Sequence, residues 1–381
     1  MIVNLKEQHC ENFLQSLHKE QWQKVRLGEV AEINPKESLK KHCLYKKVSM
    51  DSLEPYTKKI YSFSIESFSG GAKFRNGDTL LARITPCLEN GKTAFVDFLQ
   101  DDEIAFGSTE FIVLRKKTGT SNQDFLYYLA RSKHLREVAI QSMTGSSGRE
   151  RVQIEVLRDF TFQLPPLAIQ QKIAEILSSF DDKIDLLHRQ NKTLESLALT
   201  LFRHYFIDNP KRDEWELGKL GDYVKIVYGK NLPTKNLLPQ GYAVFGGNGK
   251  IGYFDQYLYD EPQVLISCRG EASGKVNISE RKSFITNNSL VLERTKDKEI
   301  TFEYLKYYCL SYNFDTFVSG SAQPQITIDG LHNAEFIKAN QNDILKFSGI
   351  ISNFENKIEN NSKQIQNLRA MRDVLLKAIF A

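Results

Sequence analysis

No stretch of this chain is apolar for the twenty or so residues that a membrane-spanning helix needs, because charged residues, 26% of its 381 positions, interrupt every hydrophobic run. The opening MIVNLKEQHCENFLQSLHKEQW puts charges where a secretory signal would have to be apolar, which points to the cytoplasm. Cysteine is scarce. The five present, Cys10, Cys43, Cys87, Cys268 and Cys309, are odd in number, widely spaced and without a C-x-x-C pair, so they read as buried or idle thiols rather than a disulfide framework or zinc site. The seven histidines (His9, His18, His42, His134, His188, His204, His332) lack H-x-x-x-H and H-E-x-x-H spacing, which argues against a metal centre. An excess of either charge is also missing. The net charge of +4 permits a nucleic-acid partner, but the argument for one must come from where the cations lie.

Catalytic signatures are missing as well. An amino-methyltransferase grips its target nitrogen with an Asn/Asp-Pro-Pro-aromatic loop, yet the only Pro-Pro here, Pro165-Pro166, is flanked by leucines. A nucleotide-driven motor needs a glycine-rich phosphate loop. The segment Pro86 to Thr93 ends like one in Gly91-Lys92-Thr93 but carries proline where the first glycine must stand, so it reads as a turn. The chain is therefore expected to be non-catalytic.

What is present is a heptad seam. Ile173, Leu177, Phe180, Ile184, Leu187, Leu194, Ala198, Leu201 and Tyr205 fall alternately four and three apart, with Asn191 as the one polar member. Phe347, Ile351, Phe354, Ile358, Asn361, Ile365, Leu368, Arg372, Leu375 and Ile379 repeat the pattern. Two long helices, each with one apolar stripe to cover, most simply cover each other. An antiparallel pairing sets Asn191 against Asn361, Ala198 against Phe354, and Phe180 beside Arg372, whose stem can lie on the ring. Facing amides satisfy each other and penalise every slipped register, whereas a parallel pairing would set Asn191 against Ile365. The seam is about 50 Å long at the helical rise, and antiparallel helices would hold two globular copies at its ends. By itself such a rod suits a spacer between two reading heads or a coiled coil that merely dimerises or scaffolds.

The segments before the helices look like one unit written twice. Leu27-Gly28 matches Leu217-Gly218, Arg83 matches Arg269, Gly91-Lys92 matches Gly274-Lys275, Leu114 matches Leu292, Phe125 matches Phe302, and Gly145-Ser146 matches Gly320-Ser321, with a steadily shrinking offset. Strand-like runs at Thr79 to Ile84, Lys92 to Phe98, Glu110 to Arg115, Gln263 to Ser267 and Ser289 to Glu293 are bounded by turn residues. Amphipathic helices are predicted over Gln123 to Ser142 and Thr301 to Tyr312. The first long helix starts after Leu164-Pro165-Pro166-Leu167, since proline suits a first turn. The second has Asn340, Asn342 and Asp343 as capping candidates. The fold class is α/β (α+β), with an internal pseudo-twofold repeat. The expected division is an N-terminal helical segment over 1–20, with Phe13, Leu14 and Leu17 at helical spacing and packing near the C-terminal helix. A first recognition domain over 21–164, a central helix over 165–208, a second recognition domain over 209–340 and a C-terminal helix over 341–381 follow.

This layout resembles the DNA-specificity subunits of type I restriction–modification enzymes. The stretch LPPLAIQQKIAEILSSFDDKIDLLHRQNKTLESLALTLFRHYF (164–206) is similar to that family's central conserved region. FGSTEFIVLR with GSSGRERV, and GGNGKIGYFDQYLYDEP with GSAQPQITI, are similar to its target-recognition domains. The resemblance implies that each variable domain reads one half of a split, asymmetric double-stranded DNA target, and that the helices set the gap. It also implies that the helices bind two methyltransferase (modification) subunits, which use S-adenosylmethionine, with motor-nuclease (restriction) subunits using ATP and magnesium joining for cleavage. No cofactor in this chain and no membrane partner are implied. A coiled-coil scaffold or RNA-binding adaptor is the alternative.

The turns supply candidate DNA contacts. Lys73, Arg75, Arg83, Lys92, Arg149 and Arg151 in the first copy, and Lys230, Lys250, Arg269, Lys275 and Arg281 in the second, offer forked donors for guanine or charge for phosphates. Ser108, Thr109, Ser146 and Ser147, with Asn248, Asn287, Asn288, Gln323 and Gln325, supply short polar groups that suit adenine and other base edges. Each has a plain alternative as solvated surface or turn. Arg83 and Arg269 rank first because they take matching places after a strand, followed by GSSGRER and GSAQPQ. Glu89 and Glu271 could accept from cytosine N4, although carboxylates near phosphates are more often paired within the protein.

Overall fold

The computed structural model describes residues 13–15, 17–294, 300–320 and 323–380. His9, Cys10 and most of the expected N-terminal segment lie outside the described residues, as does Ser321. The chain divides into two compact units, Met1–Leu187 with Lys363–Ala381, and His188–Ser362. Each long helix is thus shared between units instead of forming a domain of its own.

In the first unit, β1 (Gln23–Arg26), β2 (Ala31–Ile33), β3 (Leu44–Val48), β4 (Ser64–Ser67), β5 (Ala72–Phe74), β6 (Thr79–Ala82), β7 (Thr93–Phe95), β8 (Ala105–Gly107), β9 (Phe111–Lys116) and β10 (Thr161–Leu164) make three sheets, ordered β2-β9-β6-β7, β4-β3-β8-β5 and β1-β10. Pairing is antiparallel except for β3 with β8. Helices α1 (Gln123–Arg131) and α2 (Lys133–Gln141) follow β9. The long helix α3 is Leu167–Phe202.

The second unit repeats the plan with β11 (Glu216–Lys219), β12 (Val224–Tyr228), β13 (Tyr242–Gly246), β14 (Gly249–Phe254), β15 (Val264–Ser267), β16 (Val276–Ile278), β17 (Phe284–Ile285), β18 (Ser289–Arg294) and β19 (Glu335–Lys338). Its sheets run β12-β18-β15-β16, β14-β13-β17 and β11-β19, and here too one pair, β13 with β17, is parallel. Helix α4 is Phe302–Ser311 and the second long helix, α5, is Gln341–Phe380. The duplication read from scattered turn residues is therefore a duplication of strand order. Among the described residues no helix is long and apolar enough to cross a membrane.

The strands following Asp78 and Gln263 are apolar at successive positions because their sheets are covered on both faces. Leu81, Ile112 and Leu114 join the core under α1 and α3, while Leu80, Phe111 and Val113 face the core shared with β5 and β8. The second unit splits the same way, with Ile266, Leu290 and Leu292 on one side and Leu265 and Val291 on the other. Leu17 is buried in the first core, with Phe13 and Leu14 packed against it, and Lys19 donates to the Ala378 carbonyl oxygen at 2.8 Å. These residues do pack near the end of α5.

Two predicted equivalences shift, and one predicted helix divides. Leu27-Gly28 opens a one-turn helix whose counterpart opens at Leu220-Gly221, so the true match lies three residues beyond Leu217-Gly218, which belongs to β11. Glycine is required at both sites because a Cβ would run into the side chain of Arg158 or His332 on the next one-turn helix. Phe125 matches Tyr304 rather than Phe302, since their amides are the ones capped by Asn122 and Thr301. The helix predicted over Gln123 to Ser142 is broken at Ser132. Its extended backbone ends α1, and its hydroxyl accepts from the Leu135 amide to start α2.

α3 begins directly after Pro165-Pro166, with the Ile169 and Gln170 amides on the Pro166 carbonyl oxygen at 2.8 and 3.0 Å. At the start of α5 the Asn340 side chain accepts from the Asn342 amide at 2.9 Å. Within each unit the two helices pack antiparallel. In the first unit Ile173 and Leu177 share a core with Leu375 and Ile379, and Ile184 and Leu187 with Ile365 and Leu368. In the second, Ala198 and Phe202 share one with Phe347, Ile351 and Phe354, and Asn361 donates to Asn191 at 2.8 Å. The register is the one that the facing amides demanded.

Arg372 has partners that the heptad pattern did not show. Buried at 2% exposure, it sends its guanidinium to Asp181 and Asp373, while Phe180 packs against the first core. A buried guanidinium needs carboxylate partners more than it needs a ring.

Candidate nucleic-acid interface

In each unit three loops are knitted together by the same backbone hydrogen bonds. After β6, the Arg83 amide donates to the Glu110 carbonyl oxygen at 3.0 Å and the Val152 amide to that of Arg83 at 2.9 Å. After β15, the Cys268 amide donates to Asn288 at 3.0 Å and the Ile326 amide to Cys268 at 3.1 Å. Bridges Ile84 to Arg151 and Thr144 to Arg151 recur as Arg269 to Gln325 and Ser319 to Gln325. The expected match of Arg83 with Arg269 is therefore one residue out. Arg83 corresponds to the buried Cys268, and Arg269 to Ile84. In extended chain a one-residue slip reverses the side chain's face, and two arginines alike in sequence lie in unlike surroundings.

In the first unit Lys73, Arg83 and Thr109 line one open cleft, together with Lys36 and Glu37. Arg83 is half-buried with its Nε unbonded, and Thr109 is exposed. Lys73 donates to the Glu37 carbonyl oxygen at 2.8 Å. Ser108 Oγ accepts from the Glu110 amide at 3.1 Å. Arg151 is forked onto Glu110, Nη2 to Oε1 at 2.7 Å, and that guanidinium holds the Glu110 carboxyl below the usual carboxylate range. Ser146, Ser147 and Arg149 are exposed at the tip of the hairpin closed by Thr144 and Arg151, with Gly145 and Gly148 at positive φ. Arg75 is paired with the buried Glu37 at 2.6 Å, in a cluster with Arg115 and Asp78, and Lys92 donates to the Met50 carbonyl oxygen at 2.9 Å. Neither of these two joins the cleft. Glu89 accepts from the Thr85 hydroxyl at 3.0 Å.

In the second unit Arg269, Asn288 and Gln325 are exposed around the knitted loops. The Asn287 amide donates to the Lys230 carbonyl oxygen at 3.1 Å, which brings exposed Lys230 alongside. A Cβ on Gly247 would stand 3.6 Å from the Asn288 oxygen and 3.9 Å from that of Arg269, so Asn248 is on the same rim. Gln323, Lys275 and Glu271 are exposed. Lys250 pairs with Glu280 at 3.2 Å and Arg281 with Glu261 at 2.6 Å, both outside this group.

Glu110 was missed by sequence reasoning, although its place one residue after Ser108-Thr109 parallels Asn288 after Thr286-Asn287. So was the anchorage of each unit to its helices. Lys58 Nζ lies 5.0 to 5.7 Å from the rings of Phe95, Tyr128 and Tyr127 and donates to Asp124 at 2.6 Å and to Ser178 of α3 at 2.8 Å. The second unit uses Lys306 with Glu355 at 2.7 Å and Ser352 with Glu303 at 3.2 Å. No spacing within the sequence signals these pairs.

A family model described as type I restriction modification DNA specificity domain matches residues 19–196 and again 212–370. The chain is 27% identical over 321 residues to the type I restriction enzyme MjaIX specificity subunit of Methanocaldococcus jannaschii, covering 71% of this chain and 74% of that protein. It is 30% identical over 148 residues to the type I restriction enzyme HindI specificity subunit of Haemophilus influenzae, covering 38% of this chain and 31% of that one. Its fold is shared with the crystal structure of the S subunit of a type I restriction–modification system from M. genitalium. That match has a TM-score of 0.58 at 18% identity and covers 94% of this chain and 96% of that one.

Proposed function

The chain belongs to the type I restriction modification DNA specificity family, and on that premise we propose that each unit reads one half of a split, asymmetric target in double-stranded DNA. The helix pair sets the gap between the halves and docks two modification subunits. These carry S-adenosylmethionine, and restriction subunits with ATP and magnesium join for cleavage, so this chain directs chemistry without performing it.

The observation that carries this reading is the repeated loop frame with different occupants. Arg83, Glu110 and Arg151 occupy the positions that Cys268, Asn288 and Gln325 occupy in the other unit. One frame filled with unlike donors and acceptors suits two unlike half-sites, because base edges differ in their donor and acceptor pattern. A coiled-coil scaffold or RNA-binding adaptor has no use for that difference.

The test is to express the chain with its modification subunit and sequence the methylated positions of the host DNA. A split motif with unequal halves is expected. A heptad inserted into both helices should change the gap and leave both halves as they were. A continuous motif, a symmetric one or an unchanged gap would contradict the proposal.

A further inference from the structure

We propose that Arg151, held by Glu110, reads a single guanine in the half-site of the first unit, and that Glu110 is the positioning residue that aims it. This rests on the reading given under the proposed function and adds the base identity.

Arg151 Nε donates to both Glu110 carboxylate oxygens at 3.0 Å, and Nη2 donates to Oε1 at 2.7 Å. The Nε side of the guanidinium is thereby used. What remains is the end edge, where Nη1 and the outer hydrogen of Nη2 project in parallel, a spacing that matches O6 and N7 of guanine in the major groove. The Arg151 side chain is 43% exposed while Glu110 is 21% exposed, so the arginine is the more accessible of the pair to a ligand.

The backbone under Arg151 is fixed on both sides, exchanging N–H···O bonds with Thr144 at 2.8 and 3.1 Å and bridging to Ile84. A side chain already held in one plane loses less freedom on meeting a base than a free arginine does. Arg83, in the neighbouring cleft with Lys73 and Thr109, adds a second positive charge beside the same carboxylate, which offsets repulsion between Glu110 and the DNA. The positions matching Glu110 and Arg151 in the second unit hold Asn288 and Gln325, which cannot form a charged fork and whose amides suit adenine.

The experiment uses the full chain co-expressed with its modification subunit, with the methylated motif as readout. R151A, R151K and E110Q should each relax one G·C position in one half of the motif, by about tenfold to a hundredfold in preference. The other half and the gap should stay unchanged. R151K keeps the charge but not the fork. If R151A acts and R151K does not, Arg151 is a phosphate contact and the proposal falls. It also falls if the relaxed position is an A·T pair, or if no position relaxes. If E110Q weakens methylation without relaxing the position that R151K relaxes, Glu110 is structural and its positioning role falls. Should the unaltered chain give no split motif, the functional reading fails instead, and the two failures are distinguishable.

Discussion

Asn361 donates its side-chain amide to the Asn191 side-chain oxygen at 2.8 Å, from a position only 1% exposed on α5. The neighbouring facing positions of α3 and α5 are mostly apolar. Replacing Asn191 by leucine leaves the Asn361 donor without this partner and should cost roughly 1–3 kcal/mol. The double change N191L/N361L should recover that loss while weakening the choice of register. Urea midpoints of the single and double variants check this; a single variant as stable as the parent would contradict it.

Arg372 and Asp181 form a second buried contact, in the first unit, with Tyr128 also donating to Asp181 at 2.6 Å. R372M removes the nearer of the two guanidiniums on Asp181, leaving Arg131 at 3.8 Å, and should destabilise that unit by roughly 3 kcal/mol. R372M/D181N should cost less than R372M alone, since the under-compensated Asp181 charge is gone while the buried Arg131 keeps Asp373 at 3.3 Å. Thermal unfolding of the three variants separates the outcomes.

Burial alone would raise the Glu37 carboxyl, but the Arg75 and Arg115 guanidiniums outweigh it and hold the group below the usual range. A carboxyl whose folded pKa is depressed contributes its full stability above its unfolded value, about 4.3, and loses it as pH falls through the folded value. E37Q should therefore flatten the acid limb of the stability profile below about pH 4.3. Equal acid limbs in denaturant titrations at stepped pH would refute this.

Arg269 is exposed on the rim of the second loop cluster, whereas Arg75 is engaged with Glu37 in the first unit. R269A should reduce preference in one half of the target only, by roughly 1–3 kcal/mol if the contact is bidentate to a base. R75A should lower stability and leave the motif as it is. Motif mapping and unfolding curves on the same two variants distinguish them, and a motif altered by R75A would count against the assignment.

The long helices and their register were legible because a heptad pattern is local and repeats many times, so one polar member in each seam is enough to align them. The duplication was legible for a related reason, as turns and strand ends demand particular residues wherever they recur. Alignment inside the copies was not legible to the residue. Both Leu217-Gly218 and Leu220-Gly221 satisfy the same short pattern, and only the backbone bonds tell them apart.

Sequence by itself thus determined the periodic and repeated parts: two helices, their antiparallel seam, two copies of one α/β plan, and the resemblance those features carry. Tertiary structure alone decided which side chains meet. It tied Arg75 to Glu37, separated Arg83 from Arg269 by one residue, and placed Glu110 against Arg151. The reason is physical. Periodicity is written in neighbouring residues, whereas an ion pair between Glu110 and Arg151 depends on where two distant loops cross, and no local pattern encodes that crossing.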